Sequence, residues 1–469
     1  MKGAKIGLLL LILAFGSTVE TAWRVRNRLG AGAWGWFMMG GKFHGPSFTF
    51  TADQTEAVAA DTPVQVENAF GGVKIVQGAP GEVRVALRKV VYLPTQEKAR
   101  VFADRIRVQA VREGNTLRIL TNRAELDREA SSVEPETGFE THLDIVVPPG
   151  TVVKVVNEHG AIDVADVARA DLSGSHDNVR VSRVGGPAEI QGRHGDVHAS
   201  GIKGDLRLTN RHGDTTVEDV EGRVTLNVQH GGITAARVGS LTVTSAHGDV
   251  TAETVHGDLE VHGQHGSVHG RDVTGRASVE TTFEGITLDK IGGDARARTE
   301  HGDIRLTDVT GAANAEASFD DVTLTRIGGP ATIVVRHGAA RGQGLYKGAI
   351  VRASGDEVVL EDFRGPVEVE SERAAVRLVP AGAISAGVKV TSTHGGIELQ
   401  VPAGSRFDLE ASADHGQIST DDVPGLSTTE TSAGRLAATL GGGGNAVTLS
   451  TTHGDVALHG VAAVAQKTP

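Results

Sequence analysis

The chain contains no cysteine among its 469 residues. It can therefore form no disulfide, zinc–thiolate site or lipid-modified cysteine anchor. Aromatic residues are scarce too, at 4 %, with only two Tyr and three Trp. Three ordinary globular domains, which the length would allow, would use more large rings in their cores. Glycine is plentiful instead, with 62 residues, which favours many short strands separated by tight turns.

Basic residues are also too few for a nucleic-acid-binding protein. The chain has 58 acidic and 46 basic residues, for a formal net charge of −12. Binding to phosphates needs clustered Lys and Arg, and no basic stretch with interleaved aromatics occurs in the sequence. We therefore expect no nucleic-acid partner.

The N-terminus carries the pattern of an export signal. Lys2 and Lys5 precede an apolar run, Ile6–Val19, that is shorter than the ~20 residues of a membrane-spanning helix. Basic residues directly after the run resist translocation, so a retained membrane anchor stays open beside a cleaved signal. We predict a signal peptide or anchor at 1–22, a linker at 23–47, and an exported protein of the cell envelope (periplasm, cell surface or membrane).

A short motif recurs every 17 or 18 residues, or at twice that spacing. It is a residue, most often His, usually followed by Gly, then often by Asp or Gly, and then by Val or Ile. Its His copies are His159, His176, His194, His212, His230, His247, His265, His301 and His337. The remaining copies in register are Phe70, Phe283, Phe319 and Ser354, and the looser copies near the C-terminus are His394, His415 and His453.

One repeat, His194–Arg211, shows what each copy encodes. Apolar residues alternate with polar ones in V-x-A and L-x-L, which is the period of a strand with one buried face. A second glycine, as in IKGDL at 202–206, marks another corner. Each unit therefore holds two short strands and two glycine corners.

Such a unit cannot bury its apolar face alone, but stacked copies cover one another. We predict an all-β fold, a single-stranded parallel β-helix (β-solenoid) of ~18-residue turns over 140–460, right-handed like most parallel crossovers. Tandem β-sandwiches are the competing fold, but they would need hairpin turns and longer, less uniform strands.

Residues 48–139 are predicted to form a first β turn with a small capping insertion. PTQEKARVFAD at 94–104 indicates a helix with Thr95 as N-cap and with Val101 and Phe102 on one side. Segments 105–111 and 116–120 indicate a hairpin, and the polar segment 121–140 is predicted to be a loop. At the other end, 441–445 (GGGGN) is a candidate cap and 461–469 a tail.

Four features give the chain a family resemblance. VPPG at Val147–Gly150 enters the stack, repeated GD-[VI] turns follow, VPAG at Val401–Gly404 lies near its end, and GGNAVTLSTTHGDVAL at 443–458 closes it. Over about 48–460 the chain resembles the bacterial adhesin-like family of β-strand repeat proteins of the DUF4097 type. The resemblance implies an exported, β-helical, envelope-associated protein without known catalytic residues, and it supports the fold more than any ligand.

The histidines at one register invite two interpretations. Consecutive turns would bring the imidazoles ~5 Å apart, close enough in principle to share Zn²⁺ or Cu²⁺. Phe70, Phe283 and Phe319 occupy the same register, and Phe stacks but cannot ligate a metal. We therefore favour stacking, and expect the stack to lose stability below about pH 6 because protonated rings repel.

The aspartates of the motif also have two interpretations. They are Asp196, Asp214, Asp249, Asp303 and Asp455. Calcium-binding β-rolls use nine-residue repeats, half the length found here, whereas Asp commonly caps turns by accepting hydrogen bonds from local backbone amides. We favour turn capping and predict no metal or cofactor site.

The regular spacing between 159 and 354 leaves no long loops that could build a catalytic cleft. No GxSxG, HExxH or Walker-type motif occurs, and the Glu-rich stretch 134–140 is interpreted as a solvated loop. The expected function is a non-catalytic scaffold or adhesin-like binding surface for an unidentified envelope protein or polysaccharide. The alternatives are a carbohydrate-active β-helix enzyme and metal binding by the histidines. No catalytic, cofactor-binding or metal-binding residue is predicted.

Overall fold

The computed structural model describes residues 46–133, 138–420 and 423–461. The chain divides into two compact units, unit 1 (Met1–Leu208) and unit 2 (Thr209–Pro469). The predicted signal or anchor at 1–22 and almost all of the linker at 23–47 lie outside the described residues. So does the predicted tail, apart from Val461.

Unit 1 contains thirteen complete strands and two short helices among its described residues. The strands are β1 (Ser47–Ala57), β2 (Val64–Phe70), β3 (Val73–Gln77), β4 (Glu82–Tyr92), β5 (Val108–Glu113), β6 (Thr116–Thr121), β7 (Gly138–Val147), β8 (Val152–His159), β9 (Ile162–Val167), β10 (Arg169–His176), β11 (Val179–Val184), β12 (Ala188–Gly192) and β13 (Val197–Ile202). The helices are α1 (Gln96–Ala103) and α2 (Arg123–Val133). Neither helix is long and apolar enough to cross a bilayer, and no other described residues form one that is.

Strand β14 (Leu206–His212) contains the boundary between the units, and the following strands belong to unit 2. They are β15 (Thr215–Val220), β16 (Val224–His230), β17 (Ile233–Val238), β18 (Leu241–His247), β19 (Val250–Val255), β20 (Leu259–His265), β21 (Val268–Val273), β22 (Ala277–Phe283), β23 (Ile286–Ile291), β24 (Ala295–His301), β25 (Ile304–Val309), β26 (Ala313–Ala317), β27 (Val322–Ile327), β28 (Ala331–Val335), β29 (Ala340–Leu345), β30 (Ala349–Ala353), β31 (Glu357–Phe363), β32 (Val367–Ser371), β33 (Ala375–Pro380), β34 (Val388–Ser392), β35 (Ile397–Pro402), β36 (Phe407–Ala413), β37 (Ile418–Ser419), β38 (Leu426–Ser432), β39 (Arg435–Leu440), β40 (Asn445–Thr451) and β41 (Val456–Val461).

The predicted parallel β-solenoid is confirmed. In unit 2, β16 pairs in parallel with β18 and β17 with β19, so each strand hydrogen-bonds the corresponding strand one turn on. The pairing register joins Val224 to Leu241 and His230 to His247, as the sequence repeat requires. In unit 1, β8, β10 and β12 form one such ladder, and β9, β11 and β13 form the other.

The core of each turn comes from the inward residues of its two strands. In β16 these are Val224, Leu226 and Val228, each at most 1 % exposed. Burying one such side chain contributes ~1.5–3 kcal/mol, but the covering atoms belong largely to adjacent turns. A single turn therefore cannot fold alone. The scarcity of aromatic residues follows, because each turn has room only for small aliphatic side chains.

The insertion in unit 1 matches the prediction in part. Helix α1 begins after Thr95, whose side chain accepts a hydrogen bond from the Lys98 amide, as predicted. Phe102 is buried, but Val101 is 65 % exposed, so the expectation that both lie on one side was wrong. Neighbouring residues in a helix point about 100° apart, and this short helix buries only one narrow face. Strands β5 and β6 form the predicted hairpin.

The predicted loop at 121–140 was wrong, because α2 occupies most of it. Arg123, in the first turn of this helix, is buried at 8 % exposure, and Leu126 at 3 %. The helix joins β6, which pairs with β2, to β7, which pairs with β3. A polar sequence folds here because its tertiary neighbours bury Arg123, which propensity alone does not reveal.

Each unit carries antiparallel strands beside its parallel stack. In unit 1, β4 pairs antiparallel with β7 and β1 with β4. In unit 2, β39 pairs antiparallel with β36 and β38 with β39. Strands that end a parallel stack would otherwise recruit other chains, so these additions blunt the ends. The glycine run 441–444 was predicted as the cap but only links the capping hairpin to β40.

The last turn of the chain does not lie last in the stack. Strand β40 pairs in parallel with both β34 and β36, and β41 pairs with both β35 and β37. The rings follow the same order, His394 to His453 to His415. The looser copies of the motif therefore continue the stack in an order that differs from the chain, which is possible because every turn offers the same backbone edge to a neighbour.

Candidate functional site

The motif rings form continuous stacks within each unit. In unit 1, Phe70, His159, His176 and His194 stack with centroids 4.4, 4.4 and 5.3 Å apart. In unit 2 the stack has centroid spacings of 4.6–5.4 Å and contains His212, His230, His247, His265, Phe283, His301, Phe319 and His337. The stacking interpretation of the register is therefore confirmed by the geometry.

The ring geometry disfavours metal binding by adjacent imidazoles. Neighbouring ring planes in these stacks differ by at most 20°. Nitrogen lone pairs lie in the ring plane, so those of two parallel stacked rings point side by side and cannot converge on one ion between them. Among the described residues, no group of three or more His, Asp or Glu is arranged to hold a metal.

The motif aspartates bind the next turn of backbone. Asp214 Oδ1 accepts from the Gly232 amide at 2.9 Å, and Asp249 Oδ1 from the Ser267 amide at 2.8 Å. The hydrogen bonds from the Ser267 amide and the Ser267 hydroxyl lower the pKa of Asp249. Asp455 likewise accepts from Gln417. The carboxylates are thus engaged in turn capping, as favoured over calcium binding.

The glycine that follows most of the rings allows the turns to approach closely. At Gly231 φ is +127°, and a Cβ there would overlap the carbonyl oxygen of Gly213 one turn earlier. The next residue, Gly232, has an ordinary φ, and a Cβ would meet nothing closer than 3.6 Å. At this corner the first glycine is therefore required by backbone geometry and the second is not.

A second ladder was missed by the sequence analysis. In most odd-numbered strands from β9 to β31 the penultimate residue has a positive φ of 50–59° although it is not glycine, and glycine holds this position in β13 and β29. Members of this column are Asp166, Arg183, Asp219, Arg237, Thr254, Asp272, Lys290, Asp308, Arg326 and Asp362. Acidic and basic members alternate at the repeat spacing, a signal that was visible in the sequence. The left-handed residue lets two inward side chains lie three positions apart, as in Val217 and Val220.

Acidic and basic members of this column pair between neighbouring turns. Arg237 donates two hydrogen bonds to Asp219, at 2.6 and 3.0 Å, and Arg183 does the same to Asp166. The arginine lowers the pKa of Asp219, and Asp219 raises the pKa of Arg237. These exposed pairs satisfy each other's charge, which leaves little net field along the column.

Glu140 does not lie in a solvated loop, as had been predicted from the Glu-rich stretch 134–140. It lies in β7, where its carboxylate accepts from Tyr92 Oη at 2.9 Å and contacts His142 Nε2 at 3.0 Å. The other ring nitrogen of His142 accepts from the Gly72 amide. The hydrogen bond from His142 is the main cause that lowers the pKa of Glu140. Residues 134–137 lie outside the described part.

A shallow groove of about 440 Å³ crosses strands β16, β18, β20, β22 and β24 of unit 2. Two rows of outward side chains border it. One row is Asn227, Thr244, His262, Glu280 and Arg298, and the other is Gln229, Ala246, Gln264, Thr282 and Glu300. Between the rows run the inward-facing positions, among them Gly263 and Ser245, so the floor is backbone.

The charged side chains of the first row form ion pairs with neighbouring side chains. His262 Nε2 lies 3.2 Å from Glu260, and its Nδ1 lies 3.8 Å from Glu280. Arg298 lies 4.0 Å from Glu280 on one side and 3.8 Å from Glu316 on the other. The row therefore alternates in charge and carries no strong field of one sign.

The family model of Toastrack DUF4097 matches residues 233–459. This segment therefore resembles a Toastrack domain. The predicted resemblance is thereby confirmed over this segment, which falls entirely within unit 2. It contains the stacked rings from His247 to His453 and most of the groove, whose first lining residues, Asn227 to Gln229, precede the match.

No curated protein matches the sequence. One solved structure, of a "putative cell adhesion protein" from Clostridium sporogenes, aligns over 88 % of this chain and 100 % of its own, at 7 % identity and a TM-score of 0.14. At that TM-score the likeness supports no conclusion about the Toastrack-like segment or about unit 1.

Proposed function

We propose that this chain is an exported cell-envelope protein whose β-solenoid is a non-catalytic scaffold or adhesin-like binding surface. The proposal rests on one observation: the polar side chains that recur from turn to turn bind one another or the backbone. Rings stack on rings, corner aspartates accept backbone amides, and the left-handed column pairs its own charges. Side chains so engaged stabilise a regular surface and are poorly placed to turn over a substrate.

The spacing of the turns supports the same proposal. From β8 to β36 the longest connection between consecutive strands is the seven residues 381–387, between β33 and β34. Polysaccharide-active β-helix enzymes set paired carboxylates in a cleft, which needs longer loops than these. A carbohydrate-active enzyme remains the rival function. Export is supported by the charged and apolar pattern of residues 1–22.

Location and turnover can be tested on the full chain. A C-terminally tagged chain expressed in a bacterium should be recovered in the envelope fraction, and sequencing its N-terminus would show whether 1–22 is removed. Recovery in the cytosol would contradict the proposal. The purified chain should release no reducing ends from cell-wall polysaccharides, whereas their steady accumulation would favour the enzyme.

A further inference from the structure

The groove on unit 2 has the width and length needed to hold one extended polymer chain. Residues two apart on a strand are separated by ~7 Å, which sets the distance between its two rows. Five strands at ~4.8 Å spacing give it a length of ~19 Å across the strands. Its floor is the backbone between the rows, so a ligand would lie along the solenoid axis.

Three carboxamides in the groove are free to bind. Asn227, Gln229 and Gln264 point outward and are exposed, and among the described residues none of them has a hydrogen-bond or ion-pair partner. Each carboxamide offers two N–H donors and a carbonyl acceptor. The neighbouring Glu280 and Arg298 are instead held in the alternating charge row. The groove therefore combines free amides with fixed charges.

The surroundings exclude most other ligand classes. Strands β18, β20, β22 and β24 under the groove are paired on both sides, so no peptide strand can add to them. The lining has no aromatic residue and no deep apolar pocket for the anchors that dominate protein interfaces. Its one arginine is balanced by two glutamates, which disfavours nucleic acid.

We propose that this groove binds an unbranched, N-acetylated polysaccharide strand of the envelope. Carboxamides pair with an acetamido group as donor and acceptor at once, while Glu280 and Glu300 accept hydrogen bonds from sugar hydroxyls. The strand lies across β16–β24, with successive sugars facing successive turns. This inference gives the proposed envelope binding surface a ligand class, and it rests on that proposed function.

The test uses the full chain and two soluble probes, the hexamer of β1,4-linked N-acetylglucosamine and the hexamer of β1,4-linked glucose. Calorimetry should show binding of the acetylated probe and at least tenfold weaker binding of the other. The double variant N227A/Q264A should weaken binding of the acetylated probe at least tenfold, since it removes two of the carboxamides that pair with the acetamido groups. Glu280→Gln should weaken it less.

Asn314→Ala is the matched control, because Asn314 is also exposed on the same sheet, in β26, but lies outside the groove. It should leave binding unchanged, and all variants should keep the parent's melting temperature. The proposal is overturned by equal binding of both probes, by no binding of the acetylated probe, or by parental affinity in the double variant. None of these results would alter where the chain fractionates, so the envelope proposal is judged separately.

Discussion

The guanidinium carbon of Arg123 lies 4.7 Å from the centre of the Phe70 ring, and that ring stacks on His159 at 4.4 Å. Arg123 also lies 3.8 Å from the centre of Phe139 and donates to its carbonyl oxygen. A buried cation thus lies at the start of the ring stack of unit 1. Burial lowers its pKa to about 10, which leaves it charged at neutral pH.

We expect Arg123→Ala to lower the free energy of unfolding of unit 1 by about 3 kcal/mol, because it removes two cation–π contacts and the buried ion pair with Asp127. Asp127 lies 3.8 Å from Arg123 and is only 16 % exposed. Urea unfolding of the variant measures the loss. Arg128→Ala, at an exposed position of the same helix, is the control and should cost much less. Equal losses in the two variants would refute the role of Arg123.

The ring stack of unit 1 should weaken in acid. Burial lowers the pKa of His159, and the neighbouring His176 and Arg123 lower it further, while Asp177 and a hydrogen bond with the backbone of Ala69 oppose them. The unfolded chain then binds the proton more readily than the folded one, so stability is complete above about pH 6.5 and falls as the pH drops below it. The melting temperature should be lower at pH 5 than at pH 7.5.

His159→Phe separates this titration from other acid effects. Phe70 shows that phenylalanine fits the same register and stacks equally well. The variant should fold and should show a smaller difference in melting temperature between the two pH values. An unchanged melting temperature in the parent chain, or an undiminished difference in the variant, would exclude His159 as the sensor.

The two glycines of a corner should respond differently to the same substitution. Gly231→Ala forces a Cβ against the Gly213 carbonyl at a positive φ and should cost more than 3 kcal/mol of unfolding free energy. Gly232→Ala meets no atom closer than 3.6 Å and should cost less than about 1 kcal/mol. Denaturant unfolding of both variants compares them directly, and similar costs would contradict the close turn-to-turn contact.

Thr254 adopts the left-handed conformation at φ +56°, which a β-branched residue rarely does. The strain is about 1–2 kcal/mol, and glycine would relieve it at a cost of roughly 0.5–1 kcal/mol in chain entropy. Thr254→Gly should therefore stabilise unit 2 by about 0.5–1 kcal/mol. Thr251→Gly, earlier in the same strand at an extended position, should destabilise it. Stabilisation by both or by neither would argue against the strain.

The sequence by itself determined the repeating unit. Alternation of apolar residues specifies two strands per turn, and the glycines specify the corners, because positive φ and close backbone contact admit few other residues. Even the stacking of His with Phe followed from the mixture of residues at one register. These features are local or exactly periodic, so no knowledge of distant neighbours was needed.

Only the tertiary structure decided how the ends are built. Helix α2 forms from a polar segment because Phe70 and Phe139 bury Arg123, and those rings come from distant parts of the sequence. The turn containing His453 inserts between those of His394 and His415 because each turn presents an equivalent backbone edge. The local sequence does not show which of these equivalent edges a given turn will pair with. The order of the turns therefore depends on which arrangement leaves the terminal strands covered.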